Sequence, residues 1–269
     1  MIAMGCRAPL LGLVFALASM IPAWGHEFWI DPHDFSVQAG DRIVADIRVG
    51  QTYGGSAYAY LPRNFHRFEI AAGDTVAPVK MRLGDRPALD AEAPAEGLNV
   101  IVHVTRDYDL TYDDWGSFVS FVTHKGAAWV PDAHEARGLP REDVTEVYSR
   151  HAKSLVAVGD GAGADRPVGL TVELVALANP YTDDLSAGFP VRVLYEGAPR
   201  TNAQVEIFEK DAEGEVGIST VTTDADGVAV VPVMPGHTYL LDHVVLRESD
   251  ADDAMWESLW GSLTFAVPG

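Results

Sequence analysis

Apolar and polar residues alternate along residues 35–50, "FSVQAGDRIVADIRVG", around a central Gly-Asp pair. Alternation puts successive side chains on opposite faces of a strand, so the stretch predicts a hairpin or meander. Residues 97–105, "GLNVIVHVT", form an unbroken apolar run rich in β-branched residues, which predicts a strand covered on both faces. The intervening "GDTVAPVKMRLGDRPALDAEAPAEG" is turn-rich and reads as edge structure.

The period then changes. In "TYDDWGSFVSFVTHKG", Trp115, Phe118, Val119 and Val122 recur at helical spacing, with Thr111 and Asp114 as a capping box and Gly126 as a stop. "DAHEARG" repeats that logic with Asp132, Glu135 and Gly138. "PREDVTEVYSRHAKSLV" places Val144, Val147, Tyr148, His151 and Leu155 on one helical face, acidic at its start and basic at its end. Next, "GDGAGADRP" reads as a linker with little to bury. Beyond it "GLTVELVAL", "FPVRVLYEG", "AQVEIFEK", "GISTVTT", "GVAVVPV", "HTYLLDHVVLRE" and "GSLTFAVP" predict seven short strands. The expected fold is mainly β, with two sandwich domains of immunoglobulin or transthyretin type. The first spans 26–158, with a helical insertion over about 111–155; the second spans 168–269.

Residues 1–25 have the zones of a secretory signal: Arg7, the apolar run "APLLGLVFALASMIPA", and small residues at Ala23 and Gly25. Cleavage after Gly25 makes His26 the first residue of a periplasmic or secreted protein, with no later segment apolar enough for membrane insertion. The single cysteine, Cys6, leaves with the leader, so disulfides and thiolate metal sites are excluded. The formal net charge of -20 disfavours nucleic acid and attracts cations.

"HEFWIDP" after the leader, "YSRHAKSLVAVG", "LVALANPYTDDL" and "WESLWGSLTF" occur in that order. Together they resemble the NikK-like family of periplasmic nickel-uptake accessory proteins. The resemblance implies a binding protein for a divalent transition metal, nickel or cobalt before copper, working beside a membrane metal importer. "YEGAPRTNAQVEIF" with "TTDADGVAVVPVMPGHTYLL" is similar to carboxypeptidase-regulatory and transthyretin-like sandwiches, a likeness that carries no ligand.

A histidine at a new amino terminus offers two nitrogens, amine and imidazole, which close a chelate ring and lose their protons near neutral pH at small cost. A second imidazole completes a histidine brace, a donor set suited to Ni(II), Co(II), Cu(II) or Zn(II). The competing reading leaves His26 free in solution, its place set only by the peptidase. Of nine histidines, His103 ranks first as the partner, since an unpaired imidazole in a buried strand is costly. His134 and His151 are further candidates, although exposure of the first and simple packing of the second are the plainer accounts. No nucleophile elbow, zinc-protease helix or phosphate loop occurs, so no catalysis is expected. A copper monooxygenase of brace type and an adhesive sandwich without metal are the alternatives.

Overall fold

The computed structural model describes residues 26–269, so the expected leader and Cys6 lie outside the described residues. The first half runs β1 (Glu27–Pro32), β2 (Ser36–Val37), β3 (Arg42–Gln51), β4 (Gly54–Tyr58), β5 (Phe65–Ala72) and β6 (Thr75–Pro78). It continues with β7 (Leu89–Glu92), β8 (Gly97–Thr105), β9 (Tyr108–Thr111), and helices α1 (Trp115–His124) and α2 (Val130–Ala136). After β10 (Thr145–Val158) come β11 (Val172–Ala176), β12 (Phe189–Tyr195), β13 (Ala198–Pro199) and β14 (Gln204–Lys210). The chain closes with β15 (Val216–Thr222), β16 (Val228–Val231), β17 (Thr238–Glu248) and β18 (Trp256–Ala266). The protein is mainly β and built as stacked sheets. No helix among the described residues is long and apolar enough to cross a membrane.

A ten-stranded sheet organises the molecule, in the order β15-β14-β17-β18-β10-β8-β5-β6, with β2 and β9 also paired to β10. Strand alternation divides its side chains between two cores. Ile70, Ile101, Ala152 and Val156 face a smaller sheet of β1, β3, β4 and β7, and pack on Phe28, Ile30, Ile43 and Ile47. Val100, Val102, Leu155, Leu241 and Phe265 point the other way, onto β11, β12, β13 and β16. The helices cover a third cluster, with Phe118, Phe121 and Val130 against Val244, Trp256 and Trp260.

The seven strands expected after residue 168 are all present, joined by the short β13. The central sheet also runs through the expected boundary at 159–167, because β18 lies parallel to β10 from Glu146↔Trp256 to Ser154↔Thr264. Nor is that connector loose. The Asp165 side chain is buried, accepts hydrogen bonds from the Arg166 and Ala176 amides, and pairs with Lys153 Nζ at 2.8 Å. Lys153 reaches Glu173 at 3.2 Å, and Glu173 in turn accepts the amides of Val168, Gly169 and Leu170.

The helical insertion is shorter than expected. The first helix stands, capped by Asp114, whose side chain accepts from the Ser117 amide; Thr111 lies in β9 instead. The second helix starts at Val130 rather than Asp132. Residues 145–158 are not helical: they form the longest strand, buried continuously from His151 to Val158. Val147, His151 and Leu155 coincide with helical spacing, but apolar residues also fill the positions between them. Such a run suits a strand covered on both faces. The Gly-Asp turn at 40–41 is present, yet β2 pairs with β10 and β3 with β1, so residues 35–50 make no hairpin with each other.

Candidate functional site

Residue 26 is held in place by its neighbours. Glu27 is buried and its carboxylate lies 3.0 Å from Lys125 Nζ, while Phe28 is built into the core on the next pleat. The His26 carbonyl accepts a 3.4 Å hydrogen bond from Arg150 Nη2. The His26 side chain itself is exposed.

Beside it opens a cavity of about 340 Å³, between β1 and β3 on one side and β8 to β10 on the other. His26, Phe28, Phe65, His103, Tyr148 and Arg150 contribute to its wall. Tyr58, Leu61 and Tyr108 extend the lining. His103 is only 3% exposed and is surrounded by rings, with centroids of Phe28, Phe65 and Phe68 at 5.2, 5.2 and 5.0 Å. Burial pushes its imidazole down to about 3, so it is neutral at physiological pH. Its buried Nδ1 has no hydrogen-bond partner. A neutral ring nitrogen with no hydrogen-bond partner retains the capacity to ligate a metal.

The other two candidates do not join this cavity. His134 is fully buried, with Nε2 2.9 Å from the Pro140 carbonyl and Nδ1 accepting from Trp256 Nε1 at 3.0 Å. Both nitrogens are used, and the ring packs against Trp115 and Trp256, so it is a structural histidine. His151 is registered with Gly261, whose Cα faces Val172 and Leu174 of the opposite layer. It therefore lies across the ten-stranded sheet from His103. Burial holds its imidazole at about 4. Among the described residues no group of three or more His, Cys, Asp or Glu side chains is placed to hold a metal ion. A brace needs only two residues, because the first supplies two nitrogens.

Arg150 escaped the sequence reading, hidden inside the segment expected to be a helix. Its guanidinium lies between the Tyr148 ring, at 4.7 Å, and the Phe28 ring, at 5.7 Å, and Tyr148 stacks in turn on Tyr108. Arg150 Nε is buried without a hydrogen-bond partner. A second cavity, of about 250 Å³, shares His26, Tyr148 and Arg150 and extends to Tyr112, Glu146 and Trp260. Glu146 is buried, accepts from Tyr112 Oη at 2.6 Å and from Ser258 Oγ, and is pushed up to about 7 by burial.

Behind His26 stands a buried charge cluster. Lys125 Nζ meets Glu27 at 3.0 Å, Glu206 at 2.7 Å and Asp242 at 2.9 Å. Burial alone would lower the lysine, but the three carboxylates outweigh it and hold Lys125 above its usual range. Burial pushes Glu27 up to about 7 and raises Asp242. No local pattern in the sequence marks this group, whose members come from β1, β14, β17 and the end of α1.

Residues 23–246 match the DUF4198 family, described as a domain of unknown function. No curated protein matches the chain. Among solved structures, the D0-D1 domain of Intimin is similar at 15% identity, over 88% of this chain and 97% of that one, with a TM-score of 0.24.

Proposed function

The chain belongs to the DUF4198 family, and we propose that its exported form binds a divalent transition metal through the nitrogens of His26 and His103. The metal is cargo: nickel or cobalt in preference to copper, held for delivery to a membrane importer as the NikK-like motifs suggest. One observation carries the reading. The two histidines line one cavity, and the buried one is neutral with a ring nitrogen lacking any hydrogen bond. Cleavage after Gly25 would add the amine of His26 to that set. Nitrogen donors of this kind select borderline ions over Ca(II) and Mg(II).

The test is a titration of Ni(II), Co(II), Cu(II) and Zn(II) into three proteins. These are the processed chain starting at His26, the same chain with one residue added before it, and His103→Phe. The processed chain should bind at least about tenfold tighter than either of the others, since each of them loses one nitrogen ligand. Equal affinities in all three would remove the His26 amine and the His103 imidazole from the site. Affinity should also fall as pH drops, because protons compete for each nitrogen.

A further inference from the structure

The larger cavity is far roomier than a bare ion requires, and its volume falls within the range of small-molecule sites. Half of its lining is aromatic, and Arg150 brings the one Lys or Arg side chain to it, beside His26, His103, Asn64 and Thr105. Among the described residues Arg150 makes no salt bridge, although the chain carries 39 acidic residues against 19 Lys and Arg; its charge reaches Glu146 and Asp242 only at longer range. The nearby buried acid, Glu146, is instead engaged by the Tyr112 and Ser258 hydroxyls. Arg150 Nε lacks any partner, and Nη2 makes only the 3.4 Å bond to the His26 carbonyl. A desolvated N–H left unpaired costs free energy, and stacking between Phe28 and Tyr148 fixes the planar group before any ligand arrives.

We infer that this cavity binds a small organic carboxylate, its anionic group on the guanidinium of Arg150 and its body against Phe28, Tyr58, Phe65 and Tyr108. The Nη groups of the guanidinium, which lie on its exposed side, can donate to a carboxylate, and charge-assisted bonds of this type are the strong ones. A phosphate ester fits less well. It brings about two negative charges to one cation, inside a protein of net charge -20. Aromatic walls favour a flat apolar body through offset or edge-on contacts. The site stands without the metal reading and extends it. A divalent ion on His26 and His103 would share the cavity with a guanidinium of like sign, and a carboxylate placed between the two removes that repulsion.

The experiment is a calorimetric and NMR titration of the metal-free processed protein with benzoate, benzamide and phenyl phosphate. Benzoate should bind saturably and shift the resonances of Phe28, Tyr148 and Arg150. Benzamide and phenyl phosphate should each bind at least about tenfold more weakly, the benzamide gap reflecting one lost charge-assisted pair. Arg150→Gln should weaken benzoate by a similar factor, and Arg150→Lys should recover part of the loss. Equal binding of benzoate and benzamide, no saturable benzoate binding to the folded wild type, or tighter phenyl phosphate would each overturn the proposal. A last arm adds Ni(II): benzoate should tighten nickel binding in wild type and leave Arg150→Gln unchanged. If nickel fails to bind while benzoate binding survives, the metal reading falls and the carboxylate site stands.

Discussion

His103 shows how one residue can be costly to a fold and useful to a site. Its imidazole is caged by three phenylalanine rings and is neutral well below the pH at which a histidine in an unfolded chain takes up a proton. Between 6.5 and about 3 the unfolded state therefore binds a proton that the folded state refuses. Stability contributed by the uncharged ring is present above that window and is lost as pH falls through it. His103→Phe removes the effect. Between pH 7 and pH 5 the wild type should lose about 2 kcal/mol relative to this variant, measured by urea denaturation at each pH. A pH-independent difference would show that the ring is solvated in the native protein. This residue was legible in sequence because "VIVHVT" sets one polar side chain in a run of apolar ones. Arg150 was not, because its isolation depends on where Glu146, Tyr112 and Ser258 meet, and those contacts join distant segments.

Among the elements, strands with regular alternation and compact turns were readable, and so was the first helix with its Asp114 cap. Residues 145–158 defeated the reading because a strand buried on both faces has no polar side to reveal its period. Its register explains a glycine in the neighbouring strand. A Cβ at Gly261 would lie 2.7 Å from Val172 Cγ1 and 3.1 Å from Leu174 Cδ1, so β11 crosses β18 only because no side chain intervenes. Gly261→Ala should cost about 1–3 kcal/mol by overpacking, read as a lower denaturation midpoint with unchanged slope. No loss of stability would mean that β11 can withdraw freely.

At the scale of the molecule, Lys125 ties together elements that are far apart in sequence. Its three carboxylates come from β1, β14 and β17, so one ammonium joins the start of the described chain to its last third. Lys125→Met removes the ammonium shared by three buried acids, of which Glu206 alone keeps His124 Nε2 at 2.9 Å, and should cost about 3–5 kcal/mol at pH 8. The deficit should shrink toward pH 5, where Glu27 and Asp242, both raised by burial, take up protons and repel less; urea midpoints at both pH values would show it. A small, pH-independent loss would mean that water already reaches the cluster. Long-range groupings of this kind leave no local pattern in a sequence. The layers are therefore legible strand by strand, whereas the pairing of β10 with β18 is not.

That pairing sets an order of assembly. Along most of its length β10 takes β18 as a neighbour, and β18 is formed by residues 256–266. The midline of the sheet therefore stays open while more than a hundred further residues are being made. During that interval the strand presents bare amide and carbonyl groups to any passing chain, and it is at this stage that a chaperone would have most to guard.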